Sequence, residues 1–108
     1  MKVLDFNSYL TQINTRRRDM LERIIQILYY VASHPDASIN EIAKNLHMNN
    51  YVCGRYIDNM KAMGLVEIRE QGKAKRIRLT KKGYQALMVA MQLLQYIPLE
   101  ITKVEERK

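Results

Sequence analysis

Residues that can read DNA bases lie close together in the stretch NNYVCGRYI, residues 49–57. Asparagine can form two hydrogen bonds with adenine, and arginine can form two with guanine O6 and N7. Asn49, Asn50 and Arg55 supply these groups, and Tyr51 can contact a phosphate or a thymine methyl. Helical spacing places Tyr51 and Arg55 on one face, with Asn50 near its N-terminal end. The stretch therefore predicts DNA base contacts; the alternative is a solvent-exposed face that carries a tyrosine.

Gly54 lies at the edge between the predicted buried and exposed faces of this helix. Glycine inside a helix costs about 1 kcal/mol relative to alanine. Two explanations stay open: the glycine lets DNA approach the backbone closely, or it lets the preceding helix pack tightly. Asp58 is acidic on the same surface, and we expect it to hold Arg55 rather than to contact cytosine.

The positive charge of the chain is concentrated in one third of its length. The whole chain carries +7, and residues 49–82 hold nine basic and three acidic side chains, a net of +6. Such a patch indicates an anionic partner, most simply nucleic acid. Part of it falls in a predicted hairpin, where lysines alone could instead serve to block edge-strand aggregation. We expect DNA backbone or minor-groove contacts from Lys73, Lys75, Arg76 and Arg78.

A second basic cluster, Arg16, Arg17 and Arg18, stands at the start of a predicted helix. The helix dipole disfavours cations there, and a nearby phosphate would relieve this cost. Neutralisation by Asp19 and Glu22 is the equal alternative.

Residue types that support catalysis or metal binding do not occur at motif spacing. The single cysteine, Cys53, allows no intrachain disulfide and no cysteine-based metal site, so we interpret it as a small buried hydrophobe. His34 and His47 each stand alone in a predicted turn. No phosphate loop, nucleophile–base pair or paired-carboxylate motif is recognisable. We therefore predict no enzyme, no cofactor and no metal, and the sequence does not indicate whether a small-molecule effector binds.

Hydrophobic periodicity predicts the elements that position these residues. Ser38 and Glu41 form an S-x-x-E capping box, and Thr15, Asn49 and Thr80 are further helix caps. The period changes from 3.6 to 2 on either side of Gly72, which predicts a two-stranded hairpin. The predicted helices span residues 16–33, 39–46, 50–63 and 81–96. The fold class is mainly α with a small β-hairpin (α+β), in the winged helix-turn-helix order.

Two stretches carry a family resemblance. SINEIAKNLHMNNYVCGRYIDNMKAMGLVEI resembles the helix-turn-helix of prokaryotic winged-helix regulators, and IREQGKAKRIRLTKKGYQAL resembles their wing with its L-T-x-K-G exit. With GRYI and a long C-terminal helix, the chain is most similar to small archaeal winged-helix DNA-binding proteins. The resemblance covers roughly residues 18–96 and implies a transcription regulator or a dimeric chromatin-associated protein. The chain departs from the pattern at His47, which replaces a turn glycine, and at Met48, which replaces an aliphatic residue.

The last helix is apolar around more than half of its circumference. One face can cover the domain, and the remainder needs another partner. Residues 3–14 could supply that partner within the chain, or a second copy could supply it between chains. We favour a homodimer because DNA readers of this size usually need two half-sites. The predicted dimer interface contains Leu87, Met91 and Leu94 with Phe6 and Leu10.

These features predict one winged-helix DNA-binding domain over residues 16–80 with a C-terminal dimerisation helix over residues 81–97. An N-terminal arm or helix, residues 1–15, precedes them, and a tail, residues 98–108, follows. No apolar run of 18 or more residues predicts a membrane span, and no secretory signal is visible. We therefore expect a cytoplasmic, nucleoid-associated protein.

The predicted function is double-stranded DNA binding as a homodimeric transcription regulator. Helix 50–63 would enter the major groove, and hairpin 65–80 would contact the backbone or the minor groove. One alternative is an architectural chromatin protein with weak sequence selectivity. Another is a winged-helix protein–protein interaction module.

Overall fold

The computed structural model describes residues 15–96, with side chains from residue 20 onward. It confirms the mainly helical winged helix-turn-helix fold with a small antiparallel sheet. Phe6 and Leu10 lie outside the described residues, and Arg16, Arg17 and Arg18 are described by their backbone alone. The elements are α1 (Thr15–Ser33), β1 (Ala37–Ser38), α2 (Ile39–Asn45), α3 (Asn50–Ala62), β2 (Val66–Gln71), β3 (Ala74–Leu79) and α4 (Lys81–Leu93).

A single hydrophobic core joins the helices to the inner face of the sheet. Its fully buried side chains come from α1, α2, α3 and β3. Separating any of these four elements from the others would therefore expose apolar surface to water. Full burial of a side chain of this size contributes about 1.5–3 kcal/mol. The largest fully buried side chains are Ile27, Ile42, Ile57, Met60 and Ile77.

The sheet has three antiparallel strands in the order β1-β3-β2. β2 and β3 form the wing, with Val66 opposite Leu79 and Gln71 opposite Ala74. The predicted two-stranded hairpin is therefore incomplete, because β1 also pairs with β3 through Ala37 opposite Ile77. A two-residue strand shows no alternation of apolar and polar residues, so periodicity could not find it.

The capping box at the start of α2 forms only in part. The Ser38 hydroxyl accepts a hydrogen bond from Glu41 N at 3.0 Å, as predicted. The Glu41 carboxylate does not complete the box but accepts a hydrogen bond from the Tyr30 hydroxyl at 2.9 Å. Burial, together with this carboxylate, raises the pKa of Tyr30 to about 12. Glu41 therefore connects α2 to α1, the helix behind it.

The turn between α2 and α3 is tight although it contains no glycine. His47 adopts a left-handed conformation with φ 57, at the position where the similar winged-helix regulators have a turn glycine. Histidine is among the residues found more often in this region. The turn allows Met48 N to donate to Ala43 O at 2.8 Å, and the Arg23 guanidinium donates to Leu46 O at 3.0 Å. Carbonyls at the end of α2 are thereby satisfied without a glycine.

The L-T-x-K-G signature docks the start of α4 against the end of α3. The Thr80 hydroxyl accepts from Gly83 N at 3.0 Å and donates to Gly64 O, while Lys82 Nζ donates to Met63 O at 2.9 Å. A Cβ atom at Gly83 would lie 2.1 Å from the carbonyl oxygen of Leu65. The signature therefore contains glycine because two backbone segments touch there.

Candidate nucleic-acid interface

The outer face of α3 is exposed, as the helical spacing predicts. Its buried side is formed by Cys53, Ile57 and Met60, and burial raises the pKa of the Cys53 thiol to about 11. This agrees with an inert, buried cysteine. On the opposite side, Tyr51 is 72% exposed and Arg55 is exposed beside it.

Asn49 is committed to the helix that it begins. Its side-chain oxygen accepts hydrogen bonds from Tyr51 N at 2.7 Å and Val52 N at 3.3 Å. The predicted cap is therefore present. The same oxygen is not free for a two-bond contact with adenine, so the base contact expected of Asn49 is limited to its amide N–H groups.

Asn50 is held by a residue that the sequence did not single out. Its Nδ2 donates to Oδ1 of Asn40, on α2, at 2.8 Å. This bond uses one of the two N–H groups of Asn50. The second N–H and Oδ1 remain, and these are the two groups that an adenine contact requires. The two asparagines are ten residues apart on different helices, so only the packing of α2 on α3 reveals the pair.

Arg55 does not form the predicted pair with Asp58. Within the described part of the chain, its guanidinium makes no ion pair and no side-chain hydrogen bond. Arg55 instead borders an open hollow of about 230 Å³ between α1 and α3. The other residues around this hollow are Met20, Tyr51, Val52, Tyr56 and Asn59.

The wing turns at Gly72, which has φ 62. Lys73 and Lys75 are exposed at and beside this turn, as the sequence predicts. Arg76 is partly exposed on the outer face of the sheet, where it stands opposite Arg69 in the register. Like charges in such a pair repel each other, and the Asp36 carboxylate is close enough to offset part of this repulsion.

Arg78, for which a DNA contact is predicted, is not a free cation but is paired within the fold. Its Nε and Nη2 atoms donate to the two carboxylate oxygens of Asp36 at 2.7 and 2.9 Å. These bonds hold the pKa of Asp36 below its ordinary value, and the charges of Arg69 and Arg76 act in the same direction. Arg78 therefore joins the wing to the turn before β1.

The apolar surface of α4 differs in part from the predicted dimer interface. Leu87 is only 9% exposed and packs into the core of its own chain, so its assignment to a dimer interface is wrong. Met91 is exposed and Leu94 partly exposed. Met88 and Val89, which the prediction omitted, are 65% and 64% exposed. Helical spacing shows that two faces are apolar but not which one docks on the domain.

The described residues contain no group of three or more histidine, cysteine, aspartate or glutamate side chains that could hold a metal ion. No helix between residues 15 and 96 is long and apolar enough to cross a membrane.

Comparisons with solved structures identify the architecture. AF1382 from Archaeoglobus fulgidus is 21% identical with a TM-score of 0.64, and the match covers 84% of this chain and 98% of that chain. The transcriptional regulator BldR from Sulfolobus solfataricus is 20% identical with a TM-score of 0.64, covering 90% of this chain and 82% of that chain. FabT from Streptococcus pneumoniae, solved in complex with DNA, is 16% identical with a TM-score of 0.64, and the match covers 94% of this chain and 82% of that chain.

The similar structures are bacterial as well as archaeal, so the resemblance is broader than the archaeal group that the sequence suggested. No curated protein matches the sequence. The model of the MarR family matches residues 25–77, from the middle of α1 to the second strand of the wing. Residues 25–77 are thus similar to the MarR family of transcription regulators, and the fold around them is a winged helix-turn-helix of MarR type.

Proposed function

We propose that this regulator acts inside the cell as a homodimer that recognises specific double-stranded DNA sites. In each protomer, α3 would lie in the major groove and the wing would contact the backbone or the minor groove. The observation that carries the proposal is the outer face of α3, where Arg55 is exposed and unpaired among the described residues, beside Tyr51.

Two side chains on α3 are suited to reading base edges. Arg55 can donate two hydrogen bonds to guanine, and Asn50 keeps the N–H and oxygen that adenine requires. Tyr51 supports them with a hydroxyl for a phosphate or a ring for a thymine methyl. Asn49 contributes mainly by capping α3, because its side-chain oxygen accepts hydrogen bonds from the first N–H groups of the helix.

The wing supplies contacts that do not depend on sequence. Lys73 and Lys75 project from the exposed turn, and Arg76 is partly exposed on the outer face, where its Nη1 also donates to Asp36 O at 3.4 Å. Arg78 is left out because Asp36 already neutralises it. The cluster Arg16–Arg18 remains a proposed phosphate contact at the start of α1. Residues 16–80 would thus form the DNA-binding unit.

The proposed dimer interface is the outer face of α4, within residues 81–97. It carries Met88, Val89 and Leu93 in addition to Met91. Gln85 and Gln92 are exposed between these side chains, and a helix surface with this many exposed apolar groups favours a protein partner. A second copy is the partner we propose, since two α3 helices would then read two half-sites. Phe6 and Leu10 stay part of the proposal as residues of the adjoining arm.

The test begins with selection of a preferred site from random DNA. Arg55→Ala should then lower affinity for that site by about 1–3 kcal/mol and leave binding to random DNA nearly unchanged. Replacing Lys73 and Lys75 by alanine should weaken both DNAs equally, because phosphate contacts carry no sequence information. Each lysine removed should also make the slope of log K against log[salt] shallower by roughly one.

Lys61→Ala is the matched control, because Lys61 lies on α3 at the end away from Asn50. It should leave the site preference unchanged. Equal loss on both DNAs in Arg55→Ala would make Arg55 a phosphate contact and favour the architectural alternative. A salt slope near zero for the wild-type protein would favour the protein-interaction alternative.

A further inference from the structure

Gly54 is a glycine that the packing of the described residues does not require. A Cβ atom built at this position meets no described atom within 4 Å. Tight packing of α2 on α3, one of the two explanations open from sequence, is therefore wrong for this residue. Its backbone is helical and not left-handed, so alanine would fit without strain. Glycine here lowers helix stability, and no close contact with the described residues compensates for that loss.

Gly54 also lies where the proposed DNA contacts converge. It follows Asn50 by four residues, so the two lie on the same face of α3, and it adjoins Arg55. The missing side chain leaves a notch one turn beyond the Asn40–Asn50 hydrogen bond. A partner that approaches this face would meet the backbone of the helix at that point.

We propose that Gly54 sets the depth at which α3 enters the major groove, with DNA occupying the space that a Cβ would fill. This inference rests on the proposed function. An α-helix with its side chains is about 10–12 Å wide and the groove about 12 Å, so a single methyl group affects the fit. DNA is the occupant because Asn50 and Arg55 beside the notch carry base-reading groups; the exposed carboxylate of Asp58, one turn further along α3, is the one acidic neighbour on that helix.

The two kinds of DNA contact differ in their tolerance of a displaced helix. Hydrogen bonds to base edges need donor–acceptor distances of about 2.7–3.2 Å and weaken steeply beyond them. Attraction between lysine and phosphate declines gradually with distance. A helix pushed outward by a methyl group would therefore lose its base contacts first. Gly54 is in this sense a specificity-determining residue.

The experiment compares Gly54→Ala with the wild-type protein on the selected site and on random DNA. We expect roughly a tenfold or greater loss of affinity for the selected site, and a change below about threefold on random DNA. Thermal unfolding of the free protein should show a Tm higher by about 3–6 °C, because alanine favours the helix. Opposite changes in Tm and in affinity separate a DNA contact from structural damage.

Ala62→Gly is the matched control, since it changes helix propensity in the same helix at an exposed position eight residues further on. It should lower Tm and leave the site preference intact. Gly54→Leu should weaken binding to the selected site more than Gly54→Ala does.

Three results would overturn the inference: unchanged affinity of Gly54→Ala for the selected site, equal loss on both DNAs, or a lower Tm. If the wild-type protein prefers no site at all, the proposed function fails and this inference fails with it. If the wild-type preference exists and Gly54→Ala retains it, only the role of Gly54 is wrong.

Discussion

α3 and α4 invite comparison because each has 13 residues, an N-cap side chain and one glycine. The two glycines have opposite surroundings. A Cβ at Gly83 would lie 2.1 Å from Leu65 O, whereas a Cβ at Gly54 would meet no described atom within 4 Å. The chain itself requires the first glycine. The second has no explanation among residues 15–96, which is why we assign it to a partner.

The exposed faces of the two helices also differ in the chemistry of their side chains. α3 exposes Tyr51 and Arg55, which carry hydrogen-bonding groups, whereas α4 exposes Met88 and Val89, which offer no polar group that reads a base. Base edges are recognised by hydrogen bonds and apolar contacts together, whereas the buried core of a homodimer interface is largely apolar. One helix is therefore suited to DNA and the other to a second protein surface.

The largest effect should come from Gly83→Ala. The added methyl group would overlap the backbone of Leu65, so we expect a loss of unfolding free energy on the order of 3 kcal/mol. Urea denaturation measures it, with exposed Gln85→Ala as a control that should change stability by less than about 0.5 kcal/mol. A Gly83→Ala protein as stable as the wild type would remove the contrast between the two glycines.

The next effect should come from Val89→Asp, on the face of α4 assigned to the dimer. Aspartate would lose its water in an apolar seam, so the dimer should weaken by roughly 2–3 kcal/mol. Sedimentation across a concentration series measures this, and Gln71→Glu is the control, because it adds a charge at the exposed end of β2 and not on α4. A wild-type protein that is monomeric at micromolar concentration would show that this face has another role.

The smallest effect should come from Asp36→Asn, in the turn that holds the wing beside α3. Because Arg78 lowers the pKa of Asp36, the pair stabilises the fold above the unfolded-state pKa of about 3.9. That contribution is lost as pH falls through the lowered folded-state pKa. Both side chains are about 40% exposed, so only a small decrease in Tm is expected at pH 7. If the difference in Tm between Asp36→Asn and the wild type persisted unchanged at pH 2, this account would be contradicted.

Local signals explain how much of the fold the sequence could predict. The caps at Asn49 and Thr80 and the left-handed Gly64 act within a few residues of themselves, so the helix ends that they set were predicted closely. The wing followed from its period of two. β1 escaped prediction because a two-residue strand is formed by its neighbour rather than by its own pattern.

Contacts between distant residues limited what could be predicted of the site. Asp36 and Arg78 are 42 residues apart, so their pairing, which commits Arg78 to a link within the fold, could not be predicted from sequence spacing. Asn40 becomes relevant only when α2 packs beside Asn50. Leu87 was misassigned because periodicity identifies an apolar face without naming what covers it.

The contacts of the L-T-x-K-G signature also determine a length. Lys82 and Thr80 fasten the start of α4 to the carbonyls of Met63 and Gly64, so the corner between α3 and α4 is fixed within each protomer. In a dimer joined along α4, the distance between the two α3 helices then follows from the crossing angle of the two α4 helices. A change of a few degrees in this crossing angle would therefore displace the two α3 helices along the DNA axis. In the proposed dimer, the number of base pairs between half-sites would therefore depend on how the two α4 helices pack, far from any base.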